Sequence, residues 1–186
     1  PFISSRLLLP VLGLLNVSDS DISSAVSELL ANKENIQKLA IELSQKFVGH
    51  FPLIMSCGFL NGNAHVLRNQ FNETSKTFAA FEDIPELNHH LMEGFKYPKD
   101  LKIKVLFIDS PLYDEKHKKR AMLTEDVVSK NSIESVHFTP LGNSKLSQSL
   151  STLSFGGYIS FYLGILYNED PSLIPWVDYF KEQLSK

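Results

Sequence analysis

The chain has 186 residues, a formal net charge of -3, 43% apolar residues and 21% charged residues. That length fits one domain with a substantial core, and the acidic balance argues against nucleic acid held by charge. Cys57 is the sole cysteine, so no intrachain disulfide can form, which fits a reducing, cytoplasmic setting.

The chain opens on Pro1 instead of Met, which points to sequence removed upstream. Leu7 to Leu15 follow Arg6 as an apolar run. The run lacks a small-residue cleavage site and is too short to span a bilayer, so it reads as a buried N-terminal helix and gives no reason to expect a membrane. Ser18 to Asp21 can cap a helix starting near Ile22. Asn35 to Val48 places Ile36, Leu39, Ile41, Leu43 and Phe47 on one helical face. Phe51 to Cys57 is a short apolar run ending at Gly58, a buried strand. Asn61-Gly62-Asn63 then opens a long helix to about Phe81, and Pro85 to His90 form a turn. Leu101 to Ile108 and Ile133 to Phe138 are two further strands, separated by a charged helix over Asp114 to Lys130. Ser144 to Tyr167 reads as a long, largely buried helix despite Gly156 and Gly157, and Leu173 to Leu184 close the chain as a helix.

Strands alternating with helices predict an α/β three-layer sandwich around a parallel sheet. Sites in such folds lie beyond the carboxyl ends of the strands. That rule selects Gly58 to Asn63, Asp109 to Tyr113 and Thr139 to Asn143.

Several chemistries lack their usual motifs. There is no G-x-G-x-x-G, no Walker A sequence and no nucleophile elbow around Ser56 or Cys57. His89 and His90 stand next to each other near Glu86, yet they lack the spaced partners of a metal site. His50, His65, His117 and His137 are scattered and read as surface or hydrogen-bonded residues. Cys57, at the end of an apolar strand, reads as packing. Arg68, Asn72, Glu73 and Lys76 recur at helical spacing. Taken alone they form an ordinary solvated face with an i,i+3 Glu73–Lys76 pair.

Taken together, several segments resemble one family, the bifunctional phosphoglucose/phosphomannose isomerases. Ala64-x3-Arg68-Asn69-Gln70-x-Asn72-Glu73-x2-Lys76 is similar to their A-x-R-x-x-N-Q-x-N-E-N-x-K stretch, with one residue of slack at its start. Pro85-Glu86-Leu87-Asn88-His89 matches their P-E-L-N-H-N, and Glu73 and His89 stand 16 residues apart, as in that family. Gly156-x3-Ser160-x-Tyr162-Leu163 with Asp170-Pro171 resembles their G-D-x-x-S-x-Y-L-A and D-P. Arg6 and Lys181 resemble their R-x-x-L-P arginine and terminal lysine. The likeness runs along nearly all of residues 1–186 but covers only the C-terminal half of the family, which has two sugar-isomerase (SIS) domains.

The resemblance implies a single SIS-type domain and aldose–ketose isomerisation of glucose 6-phosphate and fructose 6-phosphate through a cis-enediol. It implies Glu73 as the base between C1 and C2, His89 as the ring-opening acid and Lys181 as a residue that assists ring opening or holds the ring oxygen. Arg6 would stabilise the enediolate. It also implies a homodimer with His89 contributed across the interface, a phosphate loop supplied by the N-terminal SIS domain, and no metal or organic cofactor. Ser144, Ser147 and Ser149 look like helix positions, not that phosphate loop. The chain departs from the pattern at Thr74, His90 and Gly157. The dual-specific members carry a threonine where Ile174 stands, which weighs against mannose 6-phosphate. The alternatives are a non-catalytic SIS module that binds sugar phosphates and regulates a partner, or a dimerisation domain without a ligand.

Overall fold

The computed structural model describes residues 17–186; Arg6 and the apolar run Leu7 to Leu15 lie outside them. Helix α1 spans Asp19–Phe47, 29 residues without a break. The two helical stretches read from the sequence are therefore one helix. Its start is a capping box: Asp21 N donates to Ser18 Oγ at 3.1 Å, and Ser18 N donates to Asp21 Oδ2 at 2.8 Å. Two orphan backbone donors are satisfied this way.

Strand β1, Phe51–Cys57, is buried from Pro52 onward. A short 3-10 turn leads into helix α2, Asn61–Thr74. The sequence reading carries this helix on to Phe81; the structure ends it seven residues earlier. Ser75 Oγ donates to the Phe71 carbonyl at 2.6 Å, Thr77 N donates to the same carbonyl at 3.1 Å, and Lys76 adopts a left-handed φ of 55°. These contacts close the last turn from outside the helix, so helical propensity beyond it has no effect. The freed residues form strand β2, Ala80–Ile84. Among the described residues the sheet therefore has four strands, against the three expected from the sequence.

A 3-10 turn over Glu86–His89 and the one-turn helix α3, Leu91–Gly94, lead to strand β3, Ile103–Ile108. Helix α4 spans Glu115–Lys130, capped by Asp114, whose Oδ1 accepts from His117 N at 2.8 Å. Strand β4 is Glu134–Phe138, helix α5 is Lys145–Leu166 and helix α6 is Pro175–Leu184.

The sheet order is β2-β1-β3-β4, and every pairing is parallel. The chain leaves β1 for β2 on one side and then crosses to β3 on the other, which puts the topological switch between β1 and β3. Helices α1, α2 and α5 cover one face, and α4 covers the other. The alternation of β4 shows the two layers: Phe138 stacks on Phe155 of α5 with centroids 3.8 Å apart, whereas neighbouring His137 reaches Glu125 of α4. Successive side chains of a strand point to opposite faces. Helix α5 is long and apolar enough to cross a bilayer, but Phe155, Ile159 and Leu163 are fully buried among the helices and the sheet. Core packing accounts for its apolarity.

Candidate active site

Glu73 lies one residue before the end of α2. Helix α2 starts at the carboxyl end of β1 and runs back antiparallel to it, so Glu73 stands near the amino ends of the strands. It is not on the carboxyl rim that the fold rule selects. Asn72 fixes this corner: its Nδ2 donates to the Arg68 carbonyl at 2.9 Å and to the Ala79 carbonyl at 3.3 Å, joining the end of α2 to the start of β2. Between α2 and the β2 edge opens a cavity of about 460 Å³ lined by Arg68, Asn69, Asn72, Glu73, Phe81 and Glu82, among others. The Glu73 carboxylate is exposed and has no hydrogen bond or ion pair among the described residues. The expected Glu73–Lys76 ion pair is not formed. Lys76 Nζ instead donates to the Glu73 carbonyl at 2.6 Å and to the Pro171 carbonyl at 3.3 Å. The left-handed backbone at Lys76 takes its side chain off the α2 face and over the helix end.

The Arg68 guanidinium is held by its own helix. Nη2 donates to Asn69 Oδ1 at 2.8 Å, Nε to the same oxygen at 3.2 Å, and a further contact joins Nη2 to His65 Nε2. The His65 ring stacks on Phe81, with centroids 6.0 Å apart. A fixed cation thus shares a cavity with an unpaired carboxylate, which suits a proton acceptor working beside a developing negative charge.

The other predicted site residues are elsewhere. The turn bearing His89 is anchored by Leu87, fully buried, and by Asn88 Nδ2, which donates to Thr124 Oγ1 of α4 at 2.8 Å. His89 itself is exposed beyond the carboxyl end of β2. Strand β2 alone separates the Glu73 corner from that end by about 13 Å. Lys181 is exposed on α6, a helix with no buried residue. Neither His89 nor Lys181 lines the Glu73 cavity. Arg6 lies outside the described residues. A single copy therefore does not bring Glu73, His89 and Lys181 together.

On the carboxyl rim, many polar side chains bond one another. Ser56 Oγ donates to Asn61 Oδ1 at 2.8 Å, Ser110 Oγ donates to Gln148 Oε1 at 2.5 Å, and Gln148 Nε2 donates to the Gly142 carbonyl at 3.1 Å. Ser144 caps α5, and Ser147 and Ser149 are helical, as the sequence reading has them.

The rim also holds a cluster that the sequence reading left among scattered histidines. His137 Nδ1 lies 2.8 Å from Asp109 Oδ2 and Nε2 lies 2.9 Å from Glu125 Oε1, while the ring stacks on Phe107 at 5.3 Å. The Asp109 hydrogen bond, reinforced by Glu125 against partial burial, pushes His137 up to about 9. At neutral pH it is an imidazolium clamped by two carboxylates, not a base. No spacing signal could have found it, because its partners sit 28 and 12 residues away on other elements. Cys57 is pushed up to about 12, by burial first and then by Asp109, Asp114 and Asp83. It stays a thiol at neutral pH, in line with packing and not nucleophilic catalysis.

This arrangement, a parallel four-stranded sheet between helical layers, is the SIS-domain fold. The chain superposes with a TM-score of 0.73 on a glucose-6-phosphate isomerase-like protein from Thermus thermophilus, at 16% identity, covering 95% of this chain and 59% of that one. The model of the bacterial phospho-glucose isomerase C-terminal SIS domain matches residues 36–184, and the chain belongs to that family. It is 29% identical to the bifunctional phosphoglucose/phosphomannose isomerase of Aquifex aeolicus over 97% of this chain and 57% of that protein. It is 31% identical to the enzyme of the same name from Caldicellulosiruptor bescii over 100% of this chain and 58% of that protein. The chain thus spans less than three-fifths of the length of these curated relatives.

Proposed function

We propose that this chain serves as the C-terminal domain of a sugar-phosphate isomerase that interconverts glucose 6-phosphate and fructose 6-phosphate through a cis-enediol. The unpaired carboxylate of Glu73, opening on a cavity beside Arg68 in a chain of this family, carries the reading. In the forward direction Glu73 removes the C2 proton of the open-chain aldose, giving an enediolate, and returns a proton to C1, while the hydroxyl proton passes from O2 to O1. One carboxylate reaching both carbons suffices, provided that it is not already engaged, and Glu73 is not.

His89 of the partner subunit protonates the ring oxygen as the sugar opens, with Lys181 assisting and Arg6 stabilising the enediolate. An N-terminal SIS domain supplies the phosphate grip, and the working unit is a homodimer in the cytoplasm. Mannose 6-phosphate is the poorer substrate, because Ile174 lacks the hydroxyl that the dual-specific pattern carries.

The test is conversion of fructose 6-phosphate to glucose 6-phosphate by the chain with and without an N-terminal SIS domain supplied. Glu73→Gln keeps the shape of the side chain and removes its basicity. Turnover should require the added domain and fall about 10²–10⁴-fold in the variant. An unchanged rate in Glu73→Gln removes Glu73 as the base. Absence of turnover in every combination of folded protein favours the sugar-phosphate-binding module instead.

A further inference from the structure

A second cavity, of about 620 Å³, lies at the amino ends of β1, β3 and β4, where His50, Ile103 and Glu134 begin or precede the strands. It shares no lining residue with the cavity that Glu73 opens on. Four lysines line it: Lys96, Lys99, Lys102 and Lys130. Glu134 is the one carboxylate among its lining residues, and it is already bonded to Lys104 at 2.7 Å. Lys130 pairs with Asp126, whereas Lys96, Lys99 and Lys102 form no ion pair among the described residues. In a chain whose net charge is -3, this concentrates positive charge against the overall balance. Between the lysines lies apolar surface from Phe95, Leu101, Ile103 and Ile133.

From this charge and shape we propose that the cavity binds an organic di- or triphosphate, with the phosphates on the lysines and the organic body on the apolar floor. The volume falls within the range of about 300–1,000 Å³ typical of small-molecule sites, which favours a small ligand over a macromolecule. Each phosphate monoester carries about -1.5 to -2 at neutral pH, so a single one leaves part of the charge of the three unpaired lysines unanswered, while two or three phosphates balance it. Lysines grip phosphate as point charges and impose no bidentate geometry. A flexible polyphosphate chain suits them better than a planar carboxylate does.

The experiment is titration calorimetry on the full chain with ATP, AMP, adenosine and inorganic tripolyphosphate, at low and at raised salt. The variant is Lys99→Glu with Lys102→Glu, both on exposed loop positions. A charge-matched control reverses Lys33 and Lys38, exposed on α1. ATP should bind the parent and the control alike and weaken by about tenfold or more in the cavity variant and with salt. AMP should bind far more weakly, and adenosine not measurably. No ATP binding to the parent, or equal loss in the control, overturns the site. AMP binding as tightly as ATP overturns the polyphosphate requirement, and tripolyphosphate matching ATP overturns the organic one.

Discussion

At His137 the structure ties a single proton to the packing of two elements. The imidazole joins Asp109, just past β3, to Glu125 on α4, and its pKa of about 9 lies above the ordinary value of 6.5. A group whose pKa rises on folding stabilises the fold while it is protonated in both states. The contribution of His137 is therefore full below about pH 6.5 and lost as pH rises through about 9. The side chain is 39% exposed, so screening leaves on the order of 1 kcal/mol. Thermal melts from pH 6 to 9.5 should show stability falling over that window, and His137→Gln should flatten the fall. A slope unchanged in the variant would assign the titration to another group. Glu73 is the contrast at this scale: its carboxylate has no hydrogen bond or ion pair among the described residues, as the proposed base requires.

Among the elements, the contact of α2 with α5 is closest where Gly156 lacks a side chain. A Cβ added at Gly156 would stand 2.0 Å from Gln70 Oε1 and 2.8 Å from Leu67 Cδ1. Both neighbours sit on α2, and Leu67 is fully buried. Gly156→Ala should thus push α2 and α5 apart and destabilise the fold by about 1–3 kcal/mol, despite the better helix propensity of alanine. Urea unfolding will measure it, and a variant as stable as the parent would mean that Gln70 swings clear. Strand β2 is the complementary case. Ala80-Phe81-Glu82-Asp83-Ile84 carries two adjacent acids, charges that discourage further pairing at a sheet edge. It forms because β1 offers an unpaired edge, with Leu53 to Cys57 in register with Ala80 to Ile84.

For the whole molecule, the separation of Glu73 from His89 by the length of β2 is the decisive geometry. If one site draws on both, it draws on two copies. Subunits carrying Glu73→Gln and subunits carrying His89→Ala, each with the N-terminal SIS domain supplied, should be nearly inactive alone. Mixed and allowed to exchange, they should regain up to about one quarter of the parent rate, since half the dimers are mixed and each has one intact site. No recovery in dimers shown to have exchanged would put both groups in the same subunit. Helix α6 belongs to this scale as well, for Trp176 is 81% and Phe180 62% exposed beside Lys181.

The sequence by itself determined the α/β class, a helix cap within Ser18 to Asp21 (the helix begins at Asp19, ahead of the expected Ile22), the buried strands β1 and β3, the core helix α5 and the family motifs. Each of these is written in neighbouring residues: an apolar run, a cap, or a motif with fixed spacing. The tertiary structure alone decided the end of α2, the existence of β2, the His137 clamp and the distance between Glu73 and His89. Those depend on which distant segments meet. The α2 stop needs contacts beyond the helix, β2 needs the edge of β1, and His137 needs carboxylates from two other elements. Local propensity carries no information about partners so far apart in the chain.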